Sequence, residues 1–158
     1  MRVSIGKYPH NPKKDRKIKV KIHDYDIWNT DVTLAIVILP LLKAIKELKR
    51  SSGYVDDEDV PEKFRSTLAP PKKQEYDIDE NYHARWEYVL DEMIWTFDAI
   101  SNPTVDFWIT KPDENELEKD IKAYINSGEY DDEAAKTYED RIDNGCRLFG
   151  KYFRNLWT

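Results

Sequence analysis

The sequence predicts a mainly α-helical protein of the α+β class, with three to four long helices and a small N-terminal β-hairpin or sheet. Apolar residues recur at helical spacing over three long stretches after residue 30. Apolar and polar residues alternate strictly over residues 17–22, the period of a strand. The chain has 158 residues, of which 40% are hydrophobic, so a single domain over 1–158 can bury a core.

Alternating lysine and aliphatic residues over 17–22 predict a strand whose apolar side chains all point the same way. We expect this face to be half-buried, with residues 2–5 pairing with the strand across a turn at 9–12. A third short strand is expected at 105–109, between two prolines.

Four segments carry helix signals. The first begins at Thr30 or Asp31 and runs to Arg50, with Pro40 inside it, where the helix should kink or divide. The others are a long helix with a wide apolar stripe, a peripheral acidic helix and a long C-terminal helix, predicted over 79–100, 114–126 and 131–156. The apolar stripes expected to face the core are Trp86, Leu90, Met93, Phe97 and Ile100 on the second helix, and Ala135, Tyr138, Ile142, Cys146, Phe149, Phe153 and Leu156 on the fourth.

A long connection is predicted over 51–78. Structureless loops of this length are uncommon inside compact domains and are often functional. The connection contains the acidic run Asp56–Asp59, and Pro61 suits the first turn of a short helix capped by Asp59.

Charge is unevenly distributed along the chain. Residues 1–22 hold eight Lys or Arg and one Asp, so they carry +7; because the whole chain carries −6, the remainder carries −13. Residues 1–16 could therefore be a flexible basic arm, or the lysines could protect an exposed sheet edge. The acidic total argues against nucleic-acid binding, although the basic arm would permit it.

No targeting or membrane signal is expected. The longest apolar run is Leu34–Leu42, nine residues long, and a bilayer requires about 20. The single cysteine, Cys146, excludes an internal disulfide framework and a cysteine-based zinc site. The sequence therefore predicts a soluble cytoplasmic protein without a membrane partner. Its oligomeric state is open, although exposed Trp or Tyr side chains would favour a homo-oligomer.

Six segments carry strings that match a known group of proteins: Asp24–Trp28, Thr33–Lys49, Val55–Pro61, Arg65–Pro71, Trp86–Phe97 and Arg141–Trp157, the last of which contains Arg147-Leu148-Phe149-Gly150-Lys151-Tyr152. On these segments the chain resembles a group of uncharacterised proteins from tailed bacteriophages, and the resemblance extends over about 60% of the chain. The resemblance is interrupted between Pro103 and Glu133. It implies a phage origin, and hence an infected host cell as the compartment, but it brings no activity and no functional residue.

The C-terminal helix carries the main candidate ligand site. Its cationic side chains alternate with aromatic rings, and such pairs can bind phosphates and stack on bases. Gly145 and Gly150 lie inside this helix, where a missing side chain permits close approach by a ligand or by another helix. The alternative is helix packing with a solvated basic face. The candidate ligand-binding residues are Arg65, Ser66, Thr67, Arg85, Arg147, Lys151, Tyr152 and Trp157, where Ser66 or Thr67 could instead simply stabilise a turn.

Catalytic and metal-binding signals are weak. The acidic run 56–59 could hold a hard cation, but a helix-capping and solvating role is the stronger interpretation. His83, Glu87 and Asp91 could share one helix face, yet they lack a metal-ligand spacing. No nucleophile motif accompanies Cys146, which we expect to be a packing residue. The sequence thus predicts no catalytic residue, no metal site and no cofactor.

Three functions fit these observations. The first is a phage counter-defence protein, a non-catalytic binder that sequesters a small anionic nucleotide-type ligand. The second is an acidic inhibitor that blocks a host or defence protein; residues 113–133 hold nine acids and two lysines, a net −7. The third is an enzyme that cleaves phosphodiesters with His23 or His83 as acid–base.

Overall fold

The computed structural model describes residues 1–11, 13–48, 51–117 and 120–157. It confirms a mainly helical fold with a small antiparallel hairpin near the N-terminus. Strands β1 (Arg2–Ile5) and β2 (Ile18–Lys21) pair with Val3 opposite Val20, as predicted. Three residues named in the sequence expectations, Pro12, Lys49 and Arg50, lie outside the described residues.

The helices are α1 (Asp24–Trp28), α2 (Thr30–Leu48), α3 (Tyr82–Ser101), α4 (Glu114–Leu117), α5 (Ile121–Asn126) and α6 (Asp132–Tyr152). The long helices α2, α3 and α6 confirm three predictions to within a few residues. Helix α1 was missed because five residues are too few to show a helical period. The predicted helix over 114–126 consists of the separate α4 and α5, and residues 118–119 between them lie outside the description.

A second two-stranded sheet joins β3 (Trp108–Thr110) to β4 (Glu129–Tyr130) in antiparallel fashion. The sequence predicted the first of these strands slightly earlier, at 105–109, and did not predict the second. β4 has only two residues, so its alternation is too short to recognise. This sheet brings the segment after α3 next to the start of α6, where Asp131 N–H donates to the Phe107 carbonyl over 2.9 Å.

The core lies where α3 packs between α2 and α6. Its buried apolar side chains are Ala35, Leu42, Val55, Val60, Trp86, Val89, Leu90, Met93, Phe97, Leu148 and Tyr152. The stripe predicted for α3 is thus confirmed. None of the helices in the described ranges has both the length and the apolar character that a membrane span needs.

Helix α2 is continuous through Pro40. The sequence predicted that the helix would kink or divide at this proline, and it does not divide, although a proline removes one backbone donor from the helical hydrogen bonds. The carbonyl that loses its helical donor belongs to Ile36, and both Ile36 and Pro40 are exposed. The buried residues of α2 are Ala35 and Leu42, seven residues and two turns apart.

The apolar face predicted for α6 was partly wrong. Gly145, Leu148 and Tyr152 are buried on this helix, whereas Cys146 and Phe153 are exposed. The true face is displaced by one residue in the second half of the helix. The sequence favoured the larger apolar side chains, but the helix uses a glycine where it meets α3.

The N-terminal hairpin exposes the apolar face that was expected to be half-buried. Opposite residues of an antiparallel pair share a face, so Val3, Ile5, Ile18 and Val20 form one aliphatic surface. All four are 42–62% exposed. The prediction was wrong because alternation sets which side chains share a face and cannot supply a surface to cover them.

The long connection packs on the helices. It contains 3₁₀ turns at Asp57–Asp59, Glu62–Phe64 and Ser66–Leu68. Val55 and Val60 are buried in the core, so the connection is fixed on both sides of the acidic run. The predicted helix starting at Pro61 is only a 3₁₀ turn, and Asp59 does not cap it, because its carboxylate is used elsewhere.

Candidate functional site

The acidic run and the end of α6 form one charged cluster. We call it the Asp59 cluster, and its members are Asp56, Glu58, Asp59, Arg147, Lys151 and Tyr152. The two halves are about 90 residues apart in the chain, and the buried valines flanking the acidic run hold them together. The sequence marks both runs as charged, but no local pattern indicates that they contact each other.

Three donors of α6 converge on the buried carboxylate of Asp59. Arg147 Nη1 lies 2.7 Å from Asp59 Oδ1, and Lys151 Nζ lies 2.6 Å from Asp59 Oδ2. The hydroxyl of Tyr152 donates to the same Oδ2 and accepts from the backbone N–H of Asp56 over 3.0 Å. Buried polar groups require such partners, and here both carboxylate oxygens are satisfied.

The electrostatics of the cluster favour ionised Asp59. Burial opposes ionisation, but hydrogen bonds from Lys151, Tyr152 and Arg147 outweigh it and lower the pKa of Asp59. Hydrogen bonds to Asp56, Asp59 and Glu58 raise the pKa of Lys151. Burial, together with the hydrogen bond to Asp59, raises the pKa of Tyr152 to about 12. All three groups thus keep their ordinary charge states across neutral pH.

The acidic run could in principle hold a cation, because one oxygen each of Asp56, Glu58 and Asp59 lie within 4.8 Å of one another. The Nζ of Lys151 lies within 3.0 Å of all three residues, so an ammonium of the chain itself takes that position. The helix-capping and solvating role expected for the run holds for two of its acids: Asp57 accepts from the Ser66 N–H at the start of a 3₁₀ turn, and the Glu58 side chain is 77% exposed. Asp56 and Asp59 instead fix the connection to α6 through Lys151.

A second charged group lies at the start of α3. Arg85 is 2% exposed and donates two hydrogen bonds of 2.8 Å to the carboxylate of Asp79. The hydrogen bonds to Asp79 raise the pKa of Arg85. Asp57 lies 3.8 Å from Arg85 Nε and accepts from the backbone N–H and hydroxyl of Ser66. These contacts agree with the turn-stabilising alternative for Ser66.

The eight predicted ligand-binding residues therefore fall into separate places. Arg147, Lys151 and Tyr152 surround Asp59, whereas Arg85 and Ser66 contact Asp79 and Asp57. Arg65 and Thr67 are exposed on the adjoining turn, and Trp157 is exposed near Ser51, whose hydroxyl donates to its carbonyl. The cations of Arg85, Arg147 and Lys151 are each paired with a carboxylate of the same chain.

A cleft of about 500 Å³ lies on another side of α6. We call it the aromatic cleft. Its walls are Trp95 of α3, Phe107 before β3, and Tyr138 of α6. The Tyr138 ring centroid is 5.3 Å from that of Trp95 and 5.4 Å from that of Phe107, both in edge-to-face orientation. The sequence predicted that Tyr138 faces the core, and no local pattern relates it to Trp95 or Phe107, so the cleft was not predicted.

Arg141 closes one side of the aromatic cleft. Its guanidinium carbon lies 3.8 Å from the Trp95 ring centroid, and its Nε and Nη2 donate to Glu92 over 3.0 and 2.9 Å. Because Glu92 neutralises this cation, the rim acids Asp131 and Glu133 set the sign of the potential. Asp131 also caps α6 by accepting from the Ala134 N–H over 2.9 Å.

The fold and these sites define a mainly helical protein with two internal ion-pair clusters and an acid-rimmed aromatic cleft. Neither protein-family models nor curated proteins nor solved structures show significant similarity to the chain. The resemblance to phage proteins accordingly stays a prediction.

Proposed function

We propose that this protein is a non-catalytic binder that blocks a basic surface of another protein. The aromatic cleft with its acidic rim is the observation that carries this proposal. In keeping with the phage resemblance, we place the partner, a host or defence protein, in the cytoplasm of an infected cell. This function is the acidic inhibitor considered from the sequence.

The chemistry of the cleft suits a guanidinium group. Arginine side chains stack on aromatic faces and fork onto carboxylates, and cation–π contacts contribute about 0.5–2 kcal/mol each. The cleft already holds one such arrangement, since Arg141 stacks on Trp95 and forks onto Glu92. The half-buried rings and the rim acids offer a second cation the same two elements, an aromatic face and a carboxylate.

The charge around the cleft favours the same class of partner. The segment 113–133, which includes both rim acids, carries −7. A field of one sign over a surface accelerates encounter with an oppositely charged partner and suppresses like-charged ones. Basic surfaces that normally bind nucleic acid are the natural targets of such a protein.

We expect a fluorescent octa-arginine peptide to bind at least about fivefold more tightly than octa-lysine, because only guanidinium combines stacking with a forked hydrogen bond. Tyr138→Leu should remove the preference for octa-arginine over octa-lysine. The weaker electrostatic attraction, which both peptides share, should remain. Fluorescence anisotropy at several salt concentrations measures both quantities, and both affinities should fall as salt rises.

Two variants with the same charge change provide the control. Glu133→Gln removes a rim acid of the cleft, whereas Glu114→Gln removes an acid of α4 that does not line it. The proposal requires that the first weaken octa-arginine binding more than the second. Equal affinities for the two peptides, or equal effects of the two variants, would contradict it.

The small anionic ligand stays an open prediction, since Arg147 is 50% exposed beside its paired Asp59. A nucleotide would have to compete with that carboxylate, which is why we rank this function second. Calorimetry with cyclic oligonucleotides and ADP-ribose derivatives should show binding that Arg147→Ala abolishes. Analysing the same mixtures for products tests the phosphodiester-cleaving alternative. If no nucleotide is bound and none is cleaved, both the ligand-binding and the enzymatic functions are excluded.

A further inference from the structure

Helix α2 carries a second apolar surface that faces away from the core. We call it the α2 ridge, and its residues are Leu34, Val37, Leu41, Ala44 and Leu48, all exposed. Leu41 is 61% and Leu48 50% exposed. The core-facing residues Ala35 and Leu42 lie on a different face of the same helix. A helix that is apolar on both sides is normally buried on both sides.

The spacing within the ridge identifies what fits it. Its members follow one another at three, four, three and four residues, the pattern of a coiled-coil seam. A seam of this kind is a narrow stripe that packs against another helix with a matching stripe. The ridge therefore fits a partner helix rather than a sheet or an extended peptide.

The charges on α2 allow a second copy of the chain to pack against the α2 ridge. Among residues 34–48, all of which the structure describes, only Lys43 and Glu47 are both charged and exposed. They have opposite signs, so two copies of the ridge do not repel each other. Lys43 lies 3.5 Å from Asp98 of its own chain, which reduces its net field further.

The area is sufficient for a weak but specific interface. An apolar groove of about 480 Å³ runs between α2 and the end of the chain, lined by Leu41, Leu48, Phe149, Phe153 and Leu156 among others. The large side chains of the ridge and Phe153 are 36–61% exposed. They supply on the order of 500 Å² per copy, so two copies approach the roughly 1,000 Å² that a biological interface requires.

We propose that the protein forms a homodimer in which the α2 ridge of each copy packs against the ridge of the other. The groove beside the ridge receives the partner's side chains. This inference is independent of the proposed function, since the aromatic cleft lies on other residues and would be present twice in the dimer.

Sedimentation equilibrium of the full chain tests the dimer. We expect a mass near 18.8 kDa at low concentration and near twice that value at high concentration, with a dissociation constant in the micromolar range. Leu41→Glu should raise this constant at least about 30-fold, as expected for a central interface residue. Ala44→Glu, at an exposed helical position that tolerates glutamate, should do the same.

Ile27→Glu is the matched control. Ile27 of α1 is 64% exposed, close to the value for Leu41, but it does not belong to the ridge. This variant should dimerise like the unmodified protein, and circular dichroism should show all three variants folded. A chain that stays monomeric at all concentrations overturns the proposal, and so does a dimer that survives both ridge substitutions.

Discussion

Replacing Gly145 with alanine is expected to lower the free energy of unfolding by about 2–3 kcal/mol. A Cβ atom at this position would lie 1.8 Å from Thr96 Oγ1 and 2.7 Å from Thr96 Cβ, distances that require a shift of the helix backbones. Thr96 is fully buried on α3, and rotating its side chain would not move its Cβ, which is itself too close. The loss exceeds the gain of about 1 kcal/mol in helix propensity.

Gly150 is the matched control on the same helix. A Cβ atom there would meet nothing within 4 Å, so Gly150→Ala should stabilise the protein by up to about 1 kcal/mol. Relative to the unmodified protein, the melting temperature and the urea midpoint should therefore fall for Gly145→Ala and rise for Gly150→Ala. At about 2–4 °C per kcal/mol, the melting temperatures should differ by roughly 10 °C. Similar melting temperatures would show that α3 and α6 do not approach as closely as described.

Replacing Asp59 with asparagine is expected to lower the free energy of unfolding by about 3 kcal/mol, because three hydrogen bonds to an ionised acceptor, each contributing about 1.5–3 kcal/mol, are weakened or lost. The amide leaves Arg147 and Lys151 facing a neutral group. It also places an N–H₂ where the hydroxyl of Tyr152 now donates. Part of the connection 51–78 should lose protection from hydrogen exchange, because the Asp59 carboxylate fixes this connection to α6.

The contribution of Asp59 to the stability of the fold is expected to depend on pH. The pKa of Asp59 is lower in the folded state than its ordinary value of 3.8. Its stabilisation is therefore present above about pH 4 and lost as the pH falls through the folded-state pKa. The pKa of Tyr152 is raised from 10.0 to about 12, so its contribution is complete below pH 10 and is lost between these values.

Urea titrations at pH 7 and pH 3 measure this dependence. At pH 7 the free energy of unfolding of the unmodified protein should exceed that of Asp59→Asn by about 3 kcal/mol. This difference should be smaller at pH 3. Glu58→Gln is the control, since Glu58 contacts the same Lys151 but its side chain is 77% exposed. A surface pair of this kind contributes under about 1 kcal/mol. Equal losses for the two variants would refute the central role of Asp59.

Local sequence patterns predicted much of the fold. The three long helices and the hairpin repeat a local period over enough residues for the period to identify them. Short elements such as α1 and β4 escaped, because two to five residues contain less than a full pattern. The stripe on α3 was correct because its large apolar side chains are buried or, like Ile100, pack against the core.

The sites depended on contacts that no local pattern encodes. The acidic run 56–59 and the basic run 147–152 each suggested a ligand when considered separately, and the tertiary structure pairs them with each other. On α6, the sequence favoured Cys146 for burial, but the crossing with α3 places Gly145 there, because only glycine fits against Thr96.

The sequence by itself determined the helical class, the N-terminal hairpin and the division of charge between a basic start and an acidic remainder. Only the tertiary structure decided which charges are paired internally, which apolar faces stay uncovered and where rings and acids meet in a cleft. The reason is physical. Periodicity is a property of neighbouring residues, whereas pairing and exposure depend on what the fold brings from elsewhere in the chain.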